Sequence, residues 1–264
     1  MYTGVGGASP EQVAEDARKA VSAGDTAVKA GPAPMKDGII RSEEIVRTQA
    51  ARVKAIREAV GEDVEVAYDC HGVFTPLMSA EFAHRIQEYR PMFLEEPTPP
   101  EDLDSLAWLG QRTTVPLATG ERLFTKWGFA ELVNRHLVSY VQPDVAHAGG
   151  ITELKKIATL AESHFINMAP HHGNSEVTTF ASLHVDASSP GCVMQERSRT
   201  ISAMSEDLLG GAPEIRDGFA ALPDKPGLGL ELNEDLARRH PYNAEAEGKN
   251  RANLMWPDGA MTDP

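Results

Sequence analysis

VEVAYDCHG (residues 64–72), MFLEEP (92–97) and VPLATGER (115–122) follow one pattern, a short apolar run that ends in an acidic residue. Runs of this length, rich in Val, Leu and Phe, suit buried strands rather than helices. Their acidic residues Asp69, Glu95 and Glu121 succeed one another at steps of 26 residues, one strand plus one crossover helix each. Parallel strands joined by helices produce such a step.

The same alternation extends in both directions and predicts strands at Tyr2–Val5, Ala27–Lys29, Val64–Asp69, Met92–Glu95, Val115–Thr119, Val138–Gln142, Phe165–Ala169 and Cys192–Gln195. The intervening helices carry recognisable ends. Ser9 can cap, Pro10 suits the first helical position, Gln12 can complete a capping box, and Gly24 can stop the helix. Ile45, Val46, Ala50, Val53, Ile56 and Val60 recur at helical spacing before Gly61. Further helices are expected at Ser79–Tyr89, Glu101–Leu109, Thr125–Val133, Gly150–Ser163 and Ser175–Ala187. Eight strands with seven crossovers predict an α/β, TIM-type barrel of (β/α)7β-like form, a fold of roughly 250 residues. An open doubly wound sheet would show a G-x-G-x-x-G turn after its first strand, and Gly4-Val5-Gly6-Gly7-Ala8 lacks that spacing. After Glu196 the chain turns to Gly, Pro and charge, including Pro223, Pro226, Gly227, Gly229, Pro241, Trp256 and Pro257. The expected division is therefore a barrel at 1–196 and a tail at 197–264 that packs on its surface.

Composition narrows the class. The 264 residues, 41% of them hydrophobic, can fill one large core, and the net charge of −14 argues against nucleic acid or an anionic membrane as partner. Cys70 and Cys192 read as free thiols, and MYTGVGGASP lacks the charged and apolar regions of an export signal. A cytoplasmic location, without membrane association, is expected.

In barrels of this kind the chemistry sits at the C-terminal strand ends. Those ends here read Asp69-Cys70-His71, Glu95-Glu96-Pro97, Gly120-Glu121-Arg122, Gln142-Pro143-Asp144, Pro170-His171-His172 and Gln195-Glu196. Any one carboxylate could be an ordinary strand-end residue. An ordered set converging on one mouth calls for a cation, and oxygen-only ligation suits magnesium. Asp69 and His71 are two apart in the chain and should face the same way, with Cys70 facing away. His171 follows the strand next to the one ending in Asp144, so an Asp–His pair can form. His84, His136, His164, His184 and His240 are read as ordinary surface or core groups. His172 is left undecided, and His147 either lines the site or shapes its loop.

YDCHG, FLEEP, ATGERL, VQPDVAHAGGITE, MAPHHG and MQE, with AIREAVG before them and PGLGLELNE after, resemble the mandelate racemase and galactonate dehydratase branch of the enolase superfamily. The likeness runs to about residue 257. It implies Asp69, Glu95 and Glu121 as Mg2+ ligands, Asp144 and His171 as a catalytic dyad, and His71 as the histidine that sets the dehydratases apart. It also implies Glu196 as a carboxylic acid that hydrogen-bonds the substrate. Lys29 stands where relatives carry the first lysine of a Lys-x-Lys pair, but the second position is Gly31, so Lys29 is expected to partner a charge. Lys29, Arg122 and His147 are the expected substrate contacts. The implied reaction is Mg2+-dependent dehydration of a galactonate-like sugar acid to a 2-keto-3-deoxy acid. His171 would take the α-proton to give an enediolate, and His71 would protonate the departing hydroxyl.

The alternatives are a racemase or epimerase on the same site, a zinc hydrolase disfavoured by the scarcity of histidine ligands, or a non-catalytic barrel remnant. Family members also carry a mixed α+β capping domain ahead of the barrel, whereas this chain opens on the first barrel strand. Little activity is therefore expected of the isolated chain, and a homo-oligomer is expected of a full-length form.

Overall fold

The computed structural model describes residues 1–33, 41–199 and 203–241, with the backbone of 254–255 and 261–262. Trp256 and Pro257 lie outside the described residues. Eight parallel strands curl into one sheet: β1 (Tyr2–Val5), β2 (Ala27–Ala30), β3 (Glu65–Asp69), β4 (Leu94–Glu95), β5 (Leu117–Thr119), β6 (Tyr140–Val141), β7 (Asn167–Met168) and β8 (Glu196–Arg197). β1 to β7 each pair with their sequence neighbours, and β8 returns to β1 in the register Tyr2 to Glu196. The ring closes between β7 and the segment before β8. There Met168 N donates to Gly191 O at 2.8 Å, Val193 N to Met168 O at 3.0 Å, and Glu196 N to Pro170 O at 3.2 Å. This is the expected TIM-type barrel.

Seven crossover helices surround it: α1 (Pro10–Ser22), α2 (Ser42–Val60), α3 (Pro76–Ile86), α4 (Leu103–Gly110), α5 (Thr125–Asn134), α6 (Ile151–Glu162) and α7 (Glu176–Ala187). The capping box at Ser9 and Gln12 is present, with both reciprocal bonds made. Two expectations shift. The third crossover helix starts at Pro76 rather than Ser79, because the Thr75 side chain accepts from Met78 N and Pro76 fits the first turn. The eighth strand was expected at Cys192–Gln195, but Glu196–Arg197 make the ladder to β1, and Cys192 makes only a bridge to Met168.

Strand alternation sorts the side chains into two cores. Val28, Val66, Leu94, Leu117, Val141 and Met168 face outward and pack under the helices, with Val53, Ile56, Phe129, Leu132, Leu154 and Ile157 among their partners. Tyr2, Ala27, Ala67, Phe93, Ala118 and Ala169 face inward, with Tyr140 and Met194 against them, and form an apolar floor across the barrel. Past β8 the chain adds α8 (Ala203–Leu209), a hairpin of β9 (Ile215–Arg216) and β10 (Phe219–Ala220), and α9 (Glu234–Arg239). Leu209 is buried, Leu228 packs against the outer core, and the ion pairs Arg197–Asp25 and Arg199–Asp16 join the residues after Glu196 to the barrel. A second two-stranded sheet pairs β11 (Leu254–Met255) with β12 (Met261–Thr262).

Candidate active site

Two residues past each floor position the same inward direction recurs, one layer nearer the open mouth. Tyr2, Ala27, Ala67, Phe93, Ala118, Tyr140, Ala169 and Met194 are followed in this way by Gly4, Lys29, Asp69, Glu95, Gly120, Gln142, His171 and Glu196. Five of the eight upper positions are titratable. Gly120 is bare of necessity: at φ 146° a Cβ would stand 2.9 Å from Gln142 N. The turn it permits brings Glu121 to the site. Glu96 adopts φ 37° and meets Arg122, whose Nε and Nη2 bind its two carboxylate oxygens at 3.0 and 2.7 Å.

Asp144 and His171 form the expected pair, His171 Nδ1 to Asp144 Oδ2 at 2.9 Å. Asn174 Nδ2 donates to the same oxygen at 3.1 Å, and the backbone amides of Ala146 and His147 donate to Oδ1 at 2.7 and 3.3 Å. Burial alone would raise the Asp144 carboxyl, but the His171 bond and the Ala146 amide bring it down to about 2. For His171 burial disfavours charge, and Asp144, Glu196 and Glu121 outweigh it and raise the imidazole. Its free Nε2 faces Glu121 Oε2 at 3.3 Å and Glu196 Oε2 at 3.9 Å.

Lys29 ties two strands of this layer together. Its Nζ lies 3.0 and 2.9 Å from the two oxygens of Glu95 and 2.9 Å from Glu196 Oε1. Burial opposes its charge, yet Glu196 and Glu95 hold the ammonium well above its ordinary range. Glu196 also accepts from His172 N at 3.1 Å. Burial would raise this carboxyl as well, and Lys29, His171 and the His172 amide lower it instead.

Six carboxylates, Asp69, Glu95, Glu96, Glu121, Asp144 and Glu196, face two fixed cations, Lys29 and Arg122. Burial pushes Glu121 up to about 7, with repulsion from Glu96 and Glu95 adding to it and His171 opposing. Asp69 is raised as well, first by burial and then by Glu95. Such a surplus of buried negative charge fits a divalent cation with oxygen ligands. Asp69, His71 and Glu121 each offer a ligand atom within 4.8 Å of the others. Glu95, the third expected ligand, lies outside this cluster and is bound by Lys29.

His71 stands beside these carboxylates, its Nδ1 3.5 Å from Glu121 Oε1 and 3.8 Å from both Asp69 Oδ2 and Glu96 Oε2. Burial lowers its imidazole, against the pull of Glu96. Strand alternation does not put it there, since the chain leaves β3 at Asp69 and His71 takes φ 51°. Arg122 is engaged by Glu96, and His147 Nδ1 meets Glu121 O at 3.0 Å, so both shape the rim in this structure. The undecided His172 turns its Nδ1 to Thr178 and Thr179, each at 3.3 Å. Of the ordinary histidines, His136 and His164 have ring centroids 5.4 Å apart, and His184 Nε2 meets Leu228 O. Glu96, Asn174, Gln142 and Tyr2 had no expected role. The inward position of Gln142 was open to the alternation argument, whereas the turns that place Glu96 and Asn174 leave no periodic signal.

Fold and site together define a parallel α/β barrel with a carboxylate-rich centre at its C-terminal strand ends. The chain belongs to the Enolase C-terminal domain-like family, which it matches over residues 12–236. It is 34% identical to D-galactonate dehydratase of Pectobacterium atrosepticum over 99% of this chain and 69% of that protein. It is 36% identical to D-xylonate dehydratase of Haloferax volcanii over 73% of this chain and 47% of that one. The structure of mandelate racemase/muconate lactonizing enzyme from Jannaschia sp. CCS1 superposes with a TM-score of 0.84 at 36% identity, covering 92% of this chain and 65% of that one. The chain therefore spans from about half to about two thirds of the length of these proteins. Among the described residues no helix is long and apolar enough to cross a membrane. Both cysteines are free thiols.

Proposed function

We propose that the barrel at 1–196, together with the 197–264 segment, dehydrates a sugar acid of the galactonate or xylonate type to its 2-keto-3-deoxy product. One observation carries this reading: two imidazoles approach opposite oxygens of a single carboxylate, His171 at Glu121 Oε2 and His71 at Glu121 Oε1. Elimination of water needs two proton transfers at neighbouring carbons, and two separately placed imidazoles suit it. His171, oriented by Asp144, takes the α-proton at Nε2. His71, whose imidazole Nδ1 stands 3.8 Å from Asp69 Oδ2, hands a proton to the departing β-hydroxyl. Glu196 faces His171, with Lys29 fixing its direction, and would accept a hydrogen bond from a substrate hydroxyl.

Asp69, Glu95 and Glu121 would hold Mg2+. When bound there, Mg2+ supplies electrostatic stabilisation of the negative charge that develops on the substrate as its α-proton leaves. A racemase would need a free base opposite His171, and Lys29 is occupied by two carboxylates. The relatives named as D-galactonate and D-xylonate dehydratases support the substrate class. The test is incubation of the Mg2+-loaded protein with a panel of aldonic acids and detection of 2-keto-3-deoxy acid. Product from a five- or six-carbon aldonate is expected, and interconversion of epimers without loss of water would overturn the reading.

A further inference from the structure

Of the six carboxylates at the mouth, Glu96 is the one to which the proposed reaction gives no part. It is fully buried and takes φ 37°, a conformation that side-chain-bearing residues seldom adopt and that its surroundings must hold. Two neighbouring strands hold its backbone. Its amide donates to Ala118 O on β5 at 3.0 Å, and its carbonyl accepts from Gly72 N, just past β3, at 3.0 Å. Its carboxylate is held by the Arg122 fork, Nε at 3.0 Å from one oxygen and Nη2 at 2.7 Å from the other. The guanidinium reaches this place only because Gly72 is bare, since a Cβ there would collide with Arg122 Nη2. Gly72, Glu96 and Arg122 directly follow His71, Glu95 and Glu121 in the chain, so a single contact joins three turns that carry the site. The oxygen that takes Nη2 also stands 3.8 Å from His71 Nδ1, a buried atom with no hydrogen-bond partner.

We propose that Arg122 and Glu96 are positioning residues whose ion pair, seated on Gly72, fixes the turns after β3, β4 and β5 and keeps the Glu96 carboxylate from closing on His71. A bidentate pair sets direction as well as charge, and with Nε and Nη2 engaged Arg122 acts on the turns rather than on substrate. A buried carboxylate that loses its fork needs another donor, and His71 Nδ1 is within reach of a small rotation. The imidazole would then be drawn off the departing hydroxyl. This catalytic consequence rests on the dehydratase reading, and the clamp itself does not.

Two variants test it, because Arg122→Gln alone strands a buried carboxylate and can unfold the chain. Arg122→Lys keeps the charge and loses the fork, and Glu96→Gln/Arg122→Gln removes both charges together. Both are expected to fold with Tm close to the parent. In the proton–nitrogen spectrum of the metal-free full chain, the His71 ring signals should shift in each. With saturating Mg2+, formation of keto acid from an aldonate should fall about 10–100-fold in kcat, with KM and α-proton exchange each within about threefold of the parent. Unmoved His71 signals in both variants would overturn the proposal. So would a raised KM at unchanged kcat, the mark of a substrate contact, or equal losses of exchange and dehydration, the mark of general disruption. If the signals shift but the parent yields no keto acid, the clamp stands and the dehydratase reading falls.

Discussion

At the level of Phe93 the barrel interior is a floor of alanines, aromatic rings and Met194, and at the level of Glu95, two residues further along the same strands, it is a ring of lysine, histidine and carboxylates. The backbone is the same ladder in both layers, so the contrast belongs to the side chains. In the floor every inward group gains by leaving water, and Tyr2, Phe93 and Tyr140 meet with centroids 6.0 and 5.3 Å apart. In the ring, Glu95 and Glu196 lose hydration and are compensated by Lys29, with the His172 amide and the Tyr2 hydroxyl also donating to Glu196, while Asp69 and Glu121 remain crowded by like charges. The fold is stabilised by one layer and strained by the next. Stability and chemistry should therefore respond to different substitutions.

The largest expected effect is in the ring. His171→Asn should fold as the parent does and lose α-proton exchange with deuterated solvent by roughly 10²–10⁴-fold. His71→Asn should keep exchange while losing dehydration, and the reverse pattern, read by NMR on recovered substrate, would exchange the two roles. In the floor, Phe93→Ala should cost about 3–5 kcal/mol in urea unfolding, since the ring is fully buried among side chains that cannot all collapse onto the cavity. A cost below about 1 kcal/mol would mean that the floor does not carry the stability assigned to it.

A buried carboxyl outside the ring sharpens the contrast. Both oxygens of Asp186 on α7 are buried without a hydrogen-bond partner beside the Cys192 thiol, and burial pushes the carboxyl up from 3.8 to about 7. With the folded value above the unfolded one, the folded chain binds more protons between these limits. Its contribution to stability is full below about pH 4 and is lost as pH rises through 7. Asp186→Asn should match the parent at pH 4 and exceed it at pH 8 by on the order of a few kcal/mol, without changing Mg2+ affinity. Equal stability of the two proteins at pH 8 would show that the carboxyl is solvated. The smallest effect concerns Glu121→Gln, which should weaken Mg2+ binding by about tenfold or more in calorimetry while raising the metal-free Tm, because it relieves repulsion from Glu96 and Glu95. Undiminished Mg2+ affinity would remove Glu121 from the ligand set.

Much of this was legible in the chain itself. The strands at Tyr2–Val5, Ala27–Ala30 and Glu65–Asp69 fall where the apolar runs lie, because a strand buried on both faces must be apolar throughout. Asp69, Glu95, Asp144, His171 and Glu196 converge as the strand ends implied. The later strands were read too long, since β4, β6 and β7 pair over two residues each while their apolar flanks continue into turns.

The sequence by itself determined the barrel and the order of acidic and imidazole groups around its mouth, because period-two burial and a fixed crossover length are local properties that repetition makes visible. Tertiary structure alone decided which groups touch. Glu95 meets Lys29, Arg122 closes on Glu96, Tyr2 reaches Glu196 across 194 positions of chain, and Gln142 is left buried without a hydrogen-bond partner. Contacts of that kind depend on left-handed turns at His71 and Glu96 and on rotamers chosen against neighbours from other strands, and no periodicity along one strand records either.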